Sequence, residues 1–234
     1  MLGAAVLDDP VGESLRAGHA HLARFHGRAV AYRREVASFG AVPVEHRPED
    51  WDDLATLLGP GGFADLFSAV AEPPGWEPVF ELRGVQLVGP TELPTTGPPT
   101  ADPVDHLVLG PGDVADMTAL VEATRPGPFR PETIRMGTYL GVRRDGRLVA
   151  MAGERLRPPG WTEISGVCTA PEARGEGLAT RLVGELARRI LAQGRRPFMH
   201  AATDNTAALR VYEALGFTRR REVRFHGYRV PQQD

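Results

Sequence analysis

Lysine is absent from this 234-residue sequence, and cysteine occurs once, at Cys168. All 27 basic side chains are therefore arginine, so the chain offers no side-chain amine for modification. A lone cysteine excludes an internal disulfide and a cysteine-rich metal site. Long apolar runs are missing too. Nothing approaches the roughly 18 residues of a membrane span, and residues 1–13 lack a basic start followed by an apolar stretch. The expectation is a protein with no membrane segment and a cytoplasmic setting. Strong net charge is also missing: the formal balance is −3, which argues against a general nucleic-acid binder.

The charge that is present is unevenly spread. Residues 1–103 hold 7 arginines and 15 acids, net −8, whereas residues 104–234 hold 20 arginines and 15 acids, net +5. The second half suits a polyanionic ligand and the first a cationic one. Between them, "GPTELPTTGPPTADP" at 89–103 is rich in Pro, Thr and Gly without apolar periodicity, and reads as an extended connector. The expected organisation is an N-terminal α/β unit over 1–88, a linker over 89–103 and a second domain over 104–234.

The N-terminal part shows no chemical motif. "AHLARF" and "WDDLATLL" read as helices, with strand-like pieces at 29–32, 63–67 and 79–88. His19, His21 and His26 have no carboxylate or cysteine at ligand spacing, so no metal site is expected. "GPGG" at 59–62 follows a helix and reads as its stop.

Downstream, a short strand "HLVLG" precedes the helical stretch "VADMTALVEAT", and "TYLGVRRDGRLVAMAGERLR" reads as a hairpin turning at Asp145-Gly146. "WTEISGVCT" and "PFMHAA" are strands, each followed by a helix, and "EVRFHGYRV" closes the chain as strand. This order predicts an α/β (α+β) fold with a mixed, largely antiparallel central sheet flanked by helices.

In "CTAPEARGEGLATRLVGELARRI", residues 168–190, Leu178, Leu182, Val183, Leu186, Ile190 and then Leu191 recur with helical period. The first amides of that helix have no intrahelical partner, and Gly175 and Gly177 remove Cβ atoms that would hold an anion away. Arg174 adds a forked cation at the entrance. A pyrophosphate grip fits this turn; a tight strand-to-helix turn would also use glycine. A nicotinamide-cofactor site fits poorly, since the third glycine is missing and the preceding strand is too polar.

Here the sequence resembles the GNAT superfamily of acyl-CoA-dependent N-acyltransferases. The family's phosphate signature is Arg or Gln, two residues, Gly, one residue, then Gly or Ala. Arg174, Gly177 and Ala179 match it. A second pattern matches Asn205, Ala208, Tyr212, Gly216 and Phe217. The tight resemblance covers Trp161 to Phe217, more loosely Val104 onward; residues 1–103 resemble at best a degenerate copy of the fold.

The resemblance implies an N-acetyltransferase that moves an acetyl group from acetyl-CoA to a primary amine by direct attack in a ternary complex, with no metal. A non-catalytic acyl-CoA-binding regulatory module is the alternative. It implies a cofactor site of Val167, Cys168, Thr169, Arg174, Gly175, Glu176, Gly177, Leu178, Ala179, Thr180, Asn205, Ala208 and Tyr212. It also implies that "GVCT" diverges from "PFMHAA" to admit pantetheine, and a glycine inside a strand, Gly166, independently fits a bulge there.

Tyr212 is the expected general acid, because a phenol with pKa about 10 can protonate a thiolate with pKa about 8.5. Glu163 is the expected general base, sharing a strand face with Ser165 and Val167, with His200 in reserve. Cys168 points to the other face and reads as a small buried residue. The acceptor, a small-molecule or peptide amine, is expected to enter beside 123–135. The N-terminal part would form a second wall, and the assembly is expected to be a monomer or homodimer.

Overall fold

The computed structural model describes residues 3–67, 72–92 and 106–232. Of the expected connector 89–103, positions 93–103 lie outside the described residues.

The N-terminal segment contributes helix α1 (Pro10–Arg16), strands β1 (Ala23–His26), β2 (Ala29–Tyr32) and β3 (Gly40–Ala41), helix α2 (Pro48–Leu58), and strands β4 (Phe63–Phe67) and β5 (Glu77–Val88). "AHLARF", expected as helix, is instead one 3-10 turn running into β1, where Ala23 to His26 pair with Tyr32 to Ala29. That ladder satisfies more backbone groups than a six-residue helix could, since short helices are marginal without tertiary support.

The rest supplies β6 (Leu107–Leu109), α3 (Val114–Thr124), β7 (Tyr139–Arg144), β8 (Arg147–Glu154), β9 (Trp161–Thr169), α4 (Leu178–Ala192), β10 (Arg196–Ala202), α5 (Thr206–Ala214) and β11 (Thr218–Arg229). β7 and β8 turn at Asp145-Gly146, both with positive φ (49° and 77°), the combination that a two-residue hairpin of matching twist requires.

Eight strands form one sheet in the order β4-β11-β5-β10-β9-β8-β7-β6, while β1, β2 and β3 form a small separate sheet. Only β9 and β10 run parallel; every other neighbouring pair in the large sheet is antiparallel. The mixed, mainly antiparallel sheet is as the sequence pattern implies.

The expected division into separate units at 1–88 and 104–234 does not describe this sheet. β5 lies between β10 and β11, pairing with both, and β4 extends the edge beyond β11. Composition carries no information about which strands pair.

Helix α4 packs Leu178, Leu182, Val183, Leu186 and Ile190, each at most 3% exposed, into the main core. Each such burial is worth about 1.5–3 kcal/mol. Leu191, expected in this stripe, is only partly buried because it lies off the sheet-facing side. This packing presses the helix against the sheet and aims its N-terminus at the end of β9.

Candidate active site

The site begins where β9 and β10 part. Their parallel pairing covers Trp161, Thr162 and Glu163 against Arg196, Pro197 and Phe198, and then stops, although both strands continue. On its other edge β9 carries a bulge: Ser165 and Cys168 oppose Gly153 and Met151, so three steps on β9 answer two on β8. Gly166 takes φ +61°, a conformation that L side chains rarely adopt, which explains glycine inside this strand.

Beyond β9 the chain turns through Gly175 (φ +82°) and Gly177 (φ +73°) into α4. Gly177 is the N-cap residue and no side chain caps the helix, so its first amides remain available to an anion. A Cβ built on Gly175 meets nothing within 4 Å, and one on Gly177 meets only Arg181 Nε at 3.9 Å. The turn is therefore open on its outer side, and glycine is needed there for backbone conformation as well as access. Arg174 donates from Nε to the Thr169 carbonyl at 3.3 Å, which ties its side chain to the end of β9.

A cavity of about 860 Å³ joins these parts. Of the residues named from sequence, Val167, Cys168, Thr169, Arg174, Gly175, Gly177, Leu178, Ala179, Thr180, Asn205, Ala208 and Tyr212 line it. Glu176 does not. It forms a forked ion pair with Arg144.

Asn205 caps α5 by accepting from the Ala208 amide at 3.2 Å, and it also lines the cavity. Seven residues later, Tyr212 is 6% exposed, and its hydroxyl makes no hydrogen bond among the described residues. Burial pushes its pKa up to about 12. Cys168 is buried, and burial raises its thiol to about 11, so a thiolate is disfavoured.

Glu163 is not placed as the sequence reading expected. It is fully buried and absent from the cavity wall. Arg155 grips it with Nε and Nη2 at 2.7 and 2.6 Å, the Leu156 amide adds a third contact at 3.3 Å, and His200 Nδ1 lies 2.7 Å from Oε1. Burial alone would raise this carboxyl, but Arg155 and His200 outweigh it and hold the pKa near its floor, at about 2. A carboxylate so held is a weak proton acceptor. Strand alternation placed Glu163 on the face of Ser165 and Val167, and those two do line the cavity, but Glu163 sits on the last rung paired with β10, where Arg155 and His200 cover it.

His200 lines the cavity, with its side chain 2% exposed. Its Nε2 lies 3.1 Å from Gln86 Nε2. Gln86 accepts from Arg220 at Oε1 (2.7 Å) and donates from Nε2 to the Leu7 carbonyl (2.8 Å), which fixes its amide orientation. Its second N–H therefore donates to His200 Nε2, and His200 donates from Nδ1 to Glu163. Both ring nitrogens are committed.

Sequence reasoning missed part of the wall. Arg125 to Pro128, within the 123–135 segment named from sequence, line it, but so do Phe39, Asp65, Phe67, Phe80, Leu82, Arg155 and Phe225. The legible signal was Asp65 in "FADLF", a charge within an otherwise apolar strand. Among the described residues, no group of three or more His, Cys, Asp or Glu side chains is placed to hold a metal ion. His19 instead bonds Tyr32 Oη (2.7 Å) and the Met136 carbonyl (2.8 Å).

Residues 139–226 match the FR47-like protein family. The N-alpha-acetyltransferase RimI of Mycobacterium tuberculosis is 37% identical over 99 residues, covering 41% of this chain and 61% of that protein. Mycothiol acetyltransferase of Paenarthrobacter aurescens is 28% identical over 166 residues, 62% of this chain and 51% of that protein. The chain thus spans about half to three-fifths of these curated relatives. A solved GNAT-family structure from Novosphingobium aromaticivorans aligns over 97% of this chain and 99% of its own, with TM-score 0.83 and 38% identity. With that full-length likeness and with the parted strands leading into a glycine turn and helix mouth, the chain belongs to the GNAT family of acetyltransferases.

Proposed function

We propose that this protein transfers an acetyl group from acetyl-CoA to a primary amine by direct attack within a ternary complex. The observation that carries this reading is the continuity of one cavity from the open N-terminus of α4, through the gap between β9 and β10, to Tyr212. The first amides of α4, with Arg174 at the entrance, suit the diphosphate of the cosubstrate. Backbone groups of Val167 and Thr169, beside the Gly166 bulge, suit its pantetheine arm. A Val167 amide directed at the thioester oxygen would stabilise developing negative charge, a contribution of about 3–4 kcal/mol in other acyl-transfer sites.

In this reading the amine attacks the thioester carbonyl carbon, the C–N bond forms, and the C–S bond breaks to give an amide and a thiol. Tyr212 stays protonated at any physiological pH. Since its pKa of about 12 lies above the ~8.5 of an ordinary thiol, it serves best by donating a hydrogen bond to sulfur as the C–S bond breaks. Of the two protons that the ammonium loses on becoming an amide nitrogen, one ends on the thiol and the other passes to solvent. Cys168, with its thiol pushed up to about 11, takes no covalent part.

The test is release of free CoA thiol from acetyl-CoA with a panel of amines. Steady release with one class of amine supports transfer. CoA binding without turnover for any amine would favour the non-catalytic regulatory module.

A further inference from the structure

The part of the cavity wall on the β10 side of the strand gap comes largely from β4, β5 and β11. It includes one carboxylate, Asp65, which is 6% exposed. Ser38 Oγ donates to Asp65 Oδ2, and Oδ1 accepts no hydrogen bond from any described residue. Asp65 also has no ion-pair partner among the described residues. The charged groups that act on it are Arg155 and Arg130. Arg155 is already neutralised by its fork on Glu163, and its guanidinium lies over the Phe39 and Phe67 rings at 5.1 and 5.3 Å. A buried carboxylate without a cation is costly, and burial accordingly pushes its pKa up. A ligand bringing a positive charge would relieve that cost.

The surroundings restrict what carries the charge. Phe67 and Phe225 stack edge to face at 5.0 Å beside Asp65's strand. Phe80 and Leu82, on one face of β5, remain 41% and 42% exposed while lining the cavity, an apolar rim with no protein cover. Among the described residues, Asp65 and Asp204 are the only acids in the lining, against three arginines, Arg125, Arg155 and Arg174. A polyamine's further ammonium groups would meet more arginines than acids there.

We infer that the acceptor is a monoamine borne on an apolar group, with its ammonium received by Asp65 and its body lying against Phe67, Phe80, Leu82 and Phe225. This inference rests on the acetyl-transfer reading and names the substrate class of that same site.

The experiment compares thiol release with 2-phenylethylamine and isoamylamine against ethanolamine and putrescine, at saturating acetyl-CoA. The apolar amines should show kcat/KM at least about tenfold higher, the scale set by one or two buried methylenes. Asp65→Asn keeps the side-chain size and an oxygen for Ser38. It should raise KM for 2-phenylethylamine by about tenfold or more while leaving CoA affinity unchanged. Phe80→Ser, at an exposed position, should narrow the preference for 2-phenylethylamine over ethanolamine. Calorimetric binding of 2-phenylethylamine to the CoA-loaded protein, present in wild type and lost in Asp65→Asn, gives a readout independent of turnover.

Wild-type transfer that favours ethanolamine or putrescine, or that is indifferent to Asp65→Asn, overturns this inference and leaves the transfer reading standing. No thiol release with any amine overturns the transfer reading, and this inference with it.

Discussion

Glu163 stands on the last paired rung of β9 and β10, opposite Phe198, and accepts the Nδ1–H of His200, two residues farther along β10, at 2.7 Å. The bond spans the point where the strands separate. Arg155 closes the cluster from the other side, and His200 passes the chain of contacts to Gln86, its direct partner across β5. The network therefore ties the two strands together at the vertex of the gap.

Glu163→Gln should lower stability by about 3–5 kcal/mol, because it leaves the buried Arg155 guanidinium without its counter-charge. The denaturant midpoint reads this directly. A midpoint equal to wild type would show that the ion pair contributes nothing net.

Tyr212→Phe removes only the hydroxyl from a ring packed near Phe217. Turnover should fall by about 10²-fold with CoA affinity preserved, the pattern of an interaction made as the reaction proceeds. Unchanged turnover would take Tyr212 out of the mechanism.

Gly177→Asn and Gly177→Asp bear side chains of equal size at a left-handed position that both tolerate better than most residues do. Any loss common to both measures backbone strain. The additional loss with Asp measures repulsion of phosphate, and CoA affinity by calorimetry should be at least about tenfold weaker for Asp than for Asn, an electrostatic difference of about 1.4 kcal/mol. Equal affinities would move the phosphates away from this turn.

His19 is kept neutral in the fold: burial first, then nearby Arg157, lowers its pKa from 6.5 to about 4. Its contribution to stability is complete above pH 6.5 and is lost as the pH falls toward 4, by about 3 kcal/mol in all. Asp9, raised by burial to about 6, acts in the opposite sense over part of that range. The quantity to measure is thus the stability difference between wild type and His19→Gln, which should shrink between pH 7 and pH 4. A constant difference would contradict a buried neutral imidazole.

Local chemistry was legible in the sequence. The α4 stripe, the Asp145-Gly146 hairpin and the glycine turn each follow from a period or from a backbone conformation that few residues adopt, and each appears where expected. The burial of Glu163 was not legible because it depends on Arg155 and on His200, 37 positions away, which close over it where β9 and β10 last pair. Asp65 was overlooked because its importance comes from what other strands bring near it. β4 joins β11, far along the chain, and neither strand's pattern names the other.

The place of β5 bears on how the molecule is made. Residues 77–88 can find neither neighbour until 196–202 and 218–229 exist, more than a hundred positions later. During synthesis this strand must wait with both edges unsatisfied, so closing the sheet is a late, long-loop event. A chain interrupted before Arg196 would expose an orphan ribbon prone to join its own kind.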